Sequence, residues 1–548
     1  MVTAMRPLAR AAALAFTLAV GLAACNGCRP SQTGKPEPEP TPTVRIYLLS
    51  DVAGALEPCG CVKDQLGGLN HAAAWIARER AKAPNALTLE AGPMLFMDPI
   101  LKPDRASQEK AKAETLARSL SAIGLVAFAP GRNDWAAGQE ELGKLAGAAK
   151  ASPLAANLAA PGAVPWVAST IKEAGGVKVG LVGVSAPDRA EAGALEGVTV
   201  ASATEAVKTE VAKLKAQGAQ LVIALAAVGR GEAKRLADLV PDLFAIVVGA
   251  PGGTGEANTD TPPPERVGKV LVLETGNHIQ TMGVLDLFVR DGSFELADAT
   301  GLDLAEKRAA LDRQADELRQ KVTEWDANPN IDKKDVAAQR AKLEKIEADR
   351  KALDDRPPPA KGSFFRYQSV EIRESLGADD VVTRELADYY KKVNEQNRVA
   401  FASKLPAPAP KGGNAYVGVD ACTSTCHEAA RAVWNKTRHA KAYETLASAN
   451  KQFNLDCASC HVTGYDEPGG STLAHVEKLE SVQCEVCHGP GSKHAAEPKR
   501  FAVPVPVPEP TRCPTCHHPP HVISFDPTKK RDEILGPGHG KPLPDAGK

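Results

Sequence analysis

The chain has few aromatic residues, almost no net charge and no apolar run long enough to cross a membrane. Aromatic side chains make up 4% of the 548 residues, and 66 Lys and Arg residues nearly balance 67 Asp and Glu residues. This balance provides no electric field that would attract nucleic acid or an acidic membrane surface. The apolar run at residues 11–23 is shorter than the roughly 20 residues of a membrane-spanning helix. The length itself exceeds that of one domain, and it predicts a multidomain protein.

Residues 1–25 have the pattern of a bacterial secretion signal. Arg6 and Arg10 come before the apolar run, which ends in Leu-Ala-Ala-Cys25. This ending resembles the bacterial lipobox, which implies a lipoprotein signal peptide and a lipidated Cys25; an ordinary secretory signal is the alternative. The prediction is a protein of the bacterial envelope, periplasmic or outer-membrane associated, whose only anchor is the lipid. Residues 26–43 contain alternating Pro and Glu, which favour an extended tether.

Eight of the 12 cysteines form four pairs after residue 420, and a histidine directly follows each pair. Three pairs have the spacing Cys-x-x-Cys-His, and the first has one extra residue between its cysteines. We number these motifs in chain order as first (422–427), second (457–461), third (484–488) and fourth (513–517). Their residues are Cys422, Cys426 and His427; Cys457, Cys460 and His461; Cys484, Cys487 and His488; and Cys513, Cys516 and His517.

Cys-x-x-Cys-His is the attachment motif of c-type haem. The two thiols add to the vinyl groups of the porphyrin, and the histidine binds the iron from one side. Zinc sites also use Cys-x-x-Cys pairs, and disulfides form outside the cytoplasm, but neither requires a histidine after every pair. The four motifs therefore predict four covalently attached haem c groups, and the longer first motif requires a bulge.

The second axial ligand of each iron is predicted to be histidine. No methionine follows Met282, which excludes methionine ligands from within this region. Two histidine ligands keep the reduction potential lower than a methionine and a histidine do. After residue 420, the histidines outside the motifs are His439, His475, His494, His518, His521 and His539.

Several segments of this region resemble a known family of cytochromes. The segments are YVGVDAC, CHEAARAVWNKTRHAKAYETL, LDCASCHVTGYDEPGG, VQCEVCHGPGSKHAAEP and RCPTCH. They resemble the tetrahaem cytochrome c family that accepts electrons from hydroxylamine oxidoreductase in nitrifying bacteria. The resemblance implies a mainly α multihaem domain at residues 414–548, with His439, His475 and His494 as second iron ligands and His539 as the best candidate for the fourth. His518 and His521 lie too close to their own motif.

Residues 44–300 alternate short apolar runs with stretches of helical composition. This alternation predicts a layered α/β domain. The helical stretches include residues 71–82 and 108–123. The predicted buried strands lie at residues 44–50, 86–90, 125–129, 177–184, 221–227, 244–248 and 270–274.

This region resembles the periplasmic 5′-nucleotidase and metallophosphoesterase superfamily. The matching pieces include LLSD, GGLNHAAAWI, LTLEAGPML, PGRND and GVKVGLVGVSAP, in this order. The resemblance implies a site for two metal ions with Asp, His and Asn ligands. Asp51 is kept, but Ala53 and Pro93 stand where the family has a histidine and an aspartate, and its Gly-Asn-His-Glu motif is Gly-Arg-Asn133-Asp134. The prediction is a degenerate domain that has lost its phosphoesterase activity.

A Cys-Gly-Cys sequence follows the first predicted strand, at Cys59 and Cys61. The two thiols could bind a soft metal ion or cycle as a strained disulfide. A static disulfide, perhaps one that includes Cys28, is the alternative. Further along, residues 301–356 have the apolar spacing of a helical hairpin, and residues 357–413 read as a strand, a helix and a Pro-rich linker.

These features together predict electron transfer outside the cytoplasm through four haems, mostly with two histidine ligands each. The predicted partner is a redox protein, either another cytochrome or a quinol-linked oxidoreductase, and nucleic acid is not expected as a partner. Whether the protein is an enzyme stays open. The alternatives are a haem enzyme that acts on a small nitrogen compound at an open iron, or hydrolysis by the N-terminal domain.

Overall fold

The computed structural model describes residues 40–58, 65–186, 197–250, 257–329, 331–354, 359–424, 426–518, 522 and 525–536. The described residues from Thr41 onward belong to one compact unit. The predictions for the signal peptide, the lipidated Cys25, the Cys59–Cys61 pair and His539 lie outside the described residues. No described helix is long and apolar enough to cross a membrane.

The strands belong mostly to the first two thirds of the chain. In chain order they are β1 Val44–Ser50, β2 Ala86–Gly92, β3 Leu125–Pro130, β4 Ser152–Pro153, β5 Leu158–Ala159, β6 Ser169–Ala174, β7 Val177–Val184, β8 Thr199–Val200, β9 Leu221–Ala227, β10 Ala245–Gly249, β11 Glu265–Val267, β12 Val270–Leu273, β13 Thr281–Phe288, β14 Ala297–Asp298 and β15 Phe364–Glu371. All seven predicted strands are therefore present, with ends that coincide with the predicted ones or differ from them by at most two residues.

The helices are found throughout the chain. In chain order they are α1 Leu69–Arg80, α2 Ala106–Ala122, α3 Gln139–Ala149, α4 Ala203–Ala216, α5 Arg230–Leu239, α6 Ala305–Asp326, α7 Lys333–Asp354, α8 Asp380–Ala400, α9 Val419–Thr423, α10 Glu428–Trp434, α11 Ala442–Ser448, α12 Ala458–His461, α13 Cys484–His488, α14 Ser492–Ala496 and α15 Pro527–Ile534.

Two mixed sheets face each other and form the middle of the α/β region. The first sheet has the order β14-β15-β13-β1-β2-β3-β4, and the second has the order β11-β12-β10-β9-β7-β6. Strands β1, β2 and β3 run parallel, and β13 pairs antiparallel with β1. Because neighbouring parallel strands end at the same edge, the loops after β1, β2 and β3 lie side by side.

Each sheet is covered by helices on its outer face, which explains why the strands read as continuous apolar runs. In β1, Ile46 and Leu48 face the second sheet, while Tyr47 and Leu49 face the helix side. Helices α1, α2, α3 and α8 contribute to the core on the outer face of the first sheet. Helices α4 and α5 cover the second sheet. The α/β region thus has four layers, as the sequence predicts for a layered α/β fold.

The segment after the helical hairpin adds to the α/β region. The sequence places residues 357–413 in a separate segment, but β15 pairs antiparallel with β13 from Phe364 to Glu371. The rings of Phe288 and Phe364 stack at 4.3 Å between these strands. Helix α8 buries Leu386 and Tyr389 in the core that α2 also lines. This pairing joins strands that are far apart in the chain, so the local pattern of the sequence does not reveal it.

Helices α6 and α7 form the predicted hairpin. Their outer faces are charged, and ion pairs such as Arg319–Glu347 at 2.7 Å connect the two helices. Ala315 and Val336 are their buried hydrophobic residues within the described part of the hairpin. The region that follows residue 413 consists of short helices and loops, with isolated β-bridges only, in the residues that the structure describes. We call residues 414–536 the haem region.

Candidate functional site

Each haem motif lies on or beside a single helical turn. The first motif begins on α9, the second lies at Cys457 and α12, the third is α13, and the fourth begins within the 3-10 turn Pro510–Thr515. Residues three apart on a helical turn lie on the same side. The two cysteines of the second and third motifs are therefore placed on one side, as attachment to one edge of a porphyrin requires.

The motifs pack against one another through their cysteines. The Cys422 thiol is within hydrogen-bonding distance of Cys484, and this contact raises the pKa of Cys422 and lowers the pKa of Cys484. Cys516 of the fourth motif is hydrogen-bonded to Cys460 of the second motif, and this bond raises the pKa of Cys516. Cys422 and Cys484 belong to the first and third motifs, so these contacts bring four motifs into two neighbouring pairs.

Two motif histidines face a histidine from outside the motifs. The ring centroids of His427 and His494 are 6.4 Å apart, with planes 27° from parallel. The ring centroids of His439 and His517 are 6.0 Å apart, with planes at 50°. Two imidazoles on opposite sides of one metal, with metal–nitrogen distances of about 2 Å, have centroids about 6 Å apart. Both pairs therefore have the separation that an iron between two histidines needs.

Hydrogen bonds to backbone carbonyls orient three of the histidines. Nδ1 of His461 lies 2.6 Å from the Ala442 carbonyl oxygen, and Nδ1 of His488 lies 2.9 Å from the Val505 oxygen. Nδ1 of His494 lies 2.7 Å from the carbonyl oxygen of Phe501. A carbonyl only accepts, so each Nδ1 donates a proton and Nε2 keeps its lone pair for a metal.

His439 is suited to metal binding by its protonation as well as by its position. Burial lowers its pKa, and the neighbouring His517 lowers it further. A histidine must be neutral to bind a metal, so both effects favour the state that acts as a ligand. The ring of His517 also stacks on Phe525, at 4.5 Å and 5° from parallel, which holds the ring in place.

His475 is oriented differently from the other predicted ligands. Its Nε2 lies 2.8 Å from the carbonyl oxygen of Ala402 and therefore donates a hydrogen bond. Its Nδ1 lies 3.7 Å from the carboxylate of Glu477. The Nε2 atom of His475 is thus engaged in a hydrogen bond, whereas His461 and His494 leave their Nε2 atoms available for a metal. The role of His475 as a ligand stays a prediction. His539 and His521 lie outside the described residues.

Two buried polar residues join the third motif to the segment just before the first: Glu485 lies within the third motif and Gln483 directly precedes it. The carboxylate of Glu485, 2% exposed, accepts hydrogen bonds from the backbone N–H groups of Val417, Gly418 and Gly491 at 2.8–3.1 Å. Gln483 accepts one from Val419 N–H at 2.6 Å. The sequence did contain a clue, since Glu485 is a charged residue between two motif cysteines. A carboxylate that is buried at such a position needs hydrogen-bond donors around it.

The arrangement fits covalently bound haem. The cysteine pairs lie on short helical turns, two histidine pairs have the spacing of axial ligands, and three histidines carry the proton on Nδ1. Within the described residues, no group of three His, Cys, Asp or Glu side chains is arranged to hold a bare metal ion.

In the α/β region, the edge where β1, β2 and β3 end is closed by backbone contacts. Asp51 uses its Oδ1 to accept a hydrogen bond from Ala250 N–H at 2.8 Å. A Cβ atom on Gly92 would lie 2.1 Å from the same oxygen, and one on Gly249 would lie 2.0 Å from the Ala91 oxygen. The donors left here, together with this close packing, do not fit two metal ions. No hydrolytic step is derived for this region.

Three carboxylates are buried near this edge. Asp134 accepts hydrogen bonds from Met94, Leu95 and Gly131, yet burial raises its pKa to about 7. Burial likewise raises the pKa of Asp51 to about 7. The pKa of Glu90 is raised well above its ordinary value by burial, and the charges of Asp134 and Asp51 add to this. Neither carboxylate oxygen of Glu90 has a well-formed hydrogen bond within the described part of the chain.

Comparison with known sequences connects the haem region to one family. Residues 421–489 match the family described as cytochrome c554 and c-prime. The chain is also 37% identical over 103 residues to cytochrome c-554 of Nitrosomonas europaea. This match covers 16% of this chain and 41% of that protein. The chain therefore spans less than half the length of the curated relative.

Comparison with solved structures gives weaker similarities. A 5′-nucleotidase precursor from Thermus thermophilus is 16% identical with a TM-score of 0.41, over 67% of this chain and 61% of that chain. The calcineurin-like phosphoesterase YfkN from Bacillus subtilis is 20% identical with a TM-score of 0.37, over 46% of this chain and 86% of that chain. Scores this low carry no argument about the chemistry of the α/β region. The haem region, in contrast, contains at residues 421–489 a segment of the cytochrome c554 type, and haem c is the cofactor that such a segment implies.

Proposed function

We propose that this chain is a lipid-anchored c-type cytochrome that transfers electrons outside the cytoplasm through four covalently attached haems. The observation that carries this proposal is the spacing of two pairs of histidine rings. The ring centroids of His427 and His494 are 6.4 Å apart, and those of His439 and His517 are 6.0 Å apart. Each pair joins a motif histidine to a histidine from a different part of the chain. When bound, the haem iron supplies the one-electron chemistry.

The protein's own residues have three tasks in this proposal. The eight motif cysteines hold the porphyrins, and the four motif histidines bind the irons. The outer histidines His439 and His494, together with His475 and His539, provide the second ligands. The carbonyls that accept from Nδ1 keep the histidines neutral and correctly turned. Packing of one motif against another, as between Cys422 and Cys484, keeps the haems close enough for electrons to pass.

The lipid anchor and the partner are proposals of the same kind. The sequence pattern before Cys25 supports lipidation, and the Pro-rich residues 26–43 support a tether between the anchor and the folded unit. The partner that fits this chemistry is a redox protein of the envelope, either another cytochrome or a quinol-linked oxidoreductase. A Cys25→Ser variant tests the anchor, because it should move the protein from the membrane fraction into the periplasmic fraction.

The haem assignment is tested with the full chain produced with haem maturation. We expect a mass increase of four haems and a mainly low-spin absorption spectrum. In His494→Ala, the haem of the first motif should lose one ligand, so about one quarter of the haem should become high-spin while the mass increase is retained. The matched control is His71→Ala, because His71 also bonds a carbonyl through Nδ1 but lies on α1. A fully low-spin spectrum in His494→Ala would contradict the assignment.

One observation favours a second candidate, a haem enzyme with an open iron. The Nε2 atom of His475 is engaged with the Ala402 carbonyl, which argues that one haem lacks its second histidine. An open iron could bind a small nitrogen compound. The two candidates differ in one measurement, since nitrite or hydroxylamine would shift a high-spin part of the spectrum only in the enzyme. An unchanged spectrum would leave the carrier as the function.

A further inference from the structure

The stretch just before the second haem motif is held by the helices of the α/β region. Gln108 on α2 accepts a hydrogen bond from Leu455 N–H at 3.0 Å. On α8, Asn394 accepts from Phe453 N–H at 3.1 Å, and Asn397 donates to the Phe453 carbonyl at 2.9 Å. Gln108 and Asn397 are 1% and 5% exposed and bond each other at 2.8 Å. The backbone that leads into this motif is therefore fixed by side chains from two helices.

Charges from α2 and its N-terminal end reach the residue next to the haem cysteine. Asp456 directly precedes Cys457 and lies between Arg105 and Lys112. Its Oδ2 is 2.9 Å from Nζ of Lys112, and its other oxygen pairs with Arg105. The side chains of Lys112 and Asp456 are 13% and 25% exposed. These charges are thus partly shielded from water. In such a partly buried site, an electric field extends further than it does at an open surface.

Three more ion pairs add to the charges of this junction. Glu109 lies 3.6 Å from both Arg105 and Lys112. Lys451 pairs with Glu57 at 2.7 Å and lies 4.0 Å from the ring centre of Tyr390. Within the described residues, these pairs bring equal numbers of positive and negative groups together. Removal of one group would therefore leave a charge of known sign beside the second motif.

We propose that Arg105, Lys112 and Asp456 position the second haem motif and set the reduction potential of the haem that Cys457 and Cys460 hold. The inference rests on the proposed function, since it requires a haem at this motif. A nearby positive charge favours the reduced iron, and a negative charge favours the oxidised iron. Arg105 and Lys112 therefore raise this potential, and Asp456 lowers it. The α/β region thus acts on the electron-transfer reaction through its charges.

The test is a redox titration, followed by absorption, of the full haem-loaded chain. Asp456→Asn should shift one of the four potentials upward, and Lys112→Gln should shift one downward, because both changes remove charge at nearly constant shape. Arg105→Gln should shift in the same direction as Lys112→Gln and serves if Asp456→Asn loads haem poorly. A merely structural role would move the potentials in Asp456→Asn and Lys112→Gln in the same direction, or not at all, and either result would overturn the proposal.

The matched control is Lys208→Gln on α4, because Lys208 also pairs with a glutamate, at 3.3 Å, but its helix covers the second sheet. We expect no shift of the reduction potentials in this variant. A shift as large as that of Lys112→Gln would show that the effect of charge is not local, and would overturn the proposal. The haem content of the unchanged protein separates the two proposals. A missing haem at the second motif contradicts the proposed function, whereas four haems without opposite shifts contradict only this inference.

Discussion

The α/β region and the haem region are built in different ways. The α/β region has large hydrophobic clusters between its sheets and under its helices, with fully buried side chains such as Tyr47, Phe128 and Phe365. In the haem region, the cluster of buried hydrophobic residues consists of Leu455, Ala458 and Leu473, within the part that the structure describes. Its buried residues are otherwise largely polar, such as Glu485 and Gln483.

This difference indicates where each region obtains its stability. Ordering one residue of backbone costs about 1–2 kcal/mol, and burial of apolar surface has to offset that cost. The side chains of the α/β region provide such surface, while the few apolar residues of the haem region do not. The haem region is therefore expected to depend on its porphyrins for a core. It also depends on buried hydrogen bonds that join its motifs.

The largest effect is expected when haem is not attached at all. Protein made without haem maturation should keep the α/β region folded and lose stable structure after residue 413. Hydrogen exchange followed by mass spectrometry would measure this, with the haem-loaded protein as the control. Slow exchange throughout the haem region without haem would show that its own side chains suffice, and would contradict the comparison.

The reverse experiment removes core volume from the α/β region. Leu48→Ala empties a fully buried site on β1 and should lower the free energy of unfolding by about 2–5 kcal/mol. The absorption spectrum of the haems should not change, because Leu48 lies between the two sheets. Leu239→Ala is the matched control, since Leu239 is 50% exposed and should cost less than about 0.5 kcal/mol. Denaturant unfolding would measure both, and equal losses would contradict the assignment of the core.

A smaller effect is expected from the buried carboxylate of the haem region. Glu485→Gln weakens charge-assisted hydrogen bonds to Val417, Gly418 and Gly491, and should cost about 1.5–3 kcal/mol. Thermal unfolding followed at the haem absorption band would show the loss. Glu497→Gln, which affects an exposed pair with Arg500, should cost at most about 1 kcal/mol. The proposed link between the first and third motifs fails if the two variants melt alike.

The last effect concerns pH and separates the regions by their buried acids. Glu90 and Asp51 have raised pKa values in the folded protein, so the folded state keeps protons that the unfolded state releases. The stability of the α/β region should therefore fall as the pH rises from about 4, the ordinary value, to about 7, the value for Asp51. Glu90→Gln should flatten this slope in urea unfolding experiments at several pH values.

The control for this slope is Glu140→Gln, which changes an exposed glutamate paired with Lys144 on α3. It should leave the fall of stability with pH as it is in the unchanged protein. A slope in Glu90→Gln as steep as in the unchanged protein would mean that Glu90 is ionised in both states. The pKa raised by burial would then be the wrong description of this residue.

Part of the fold could be predicted from the sequence because it depends on local pattern. The strands β1 and β9 coincide with the predicted residues 44–50 and 221–227, since both faces of each strand are buried and the whole run is apolar. A strand within residues 357–413 was also expected, but the place of β15 beside β13 was not. Register and partner choice depend on contacts between distant segments, which no local pattern contains.

The candidate site shows the same division. The motif residues could be named from the sequence because thiol spacing and the adjacent histidine are requirements of the attachment chemistry. The predicted outer ligands His439 and His494 came from a resemblance, and the structure adds which motif histidine lies near each of them. The orientation of His475 and the contacts of Glu485 were not foreseen, because a hydrogen bond to a distant backbone group leaves no mark in the sequence.

The haem-binding chemistry could be predicted from the sequence alone, because each attachment motif is a short stretch recognised by its spacing. The sequence also determined the layered character of the α/β region, since burial on two faces requires apolar strands. Three contacts depend on the folded chain: His427 lies opposite His494, His439 lies opposite His517, and Asp456 lies between two cations of the α/β region. Each of these contacts needs the folding of the chain between its partners, so the physical cause lies in packing rather than in any single segment.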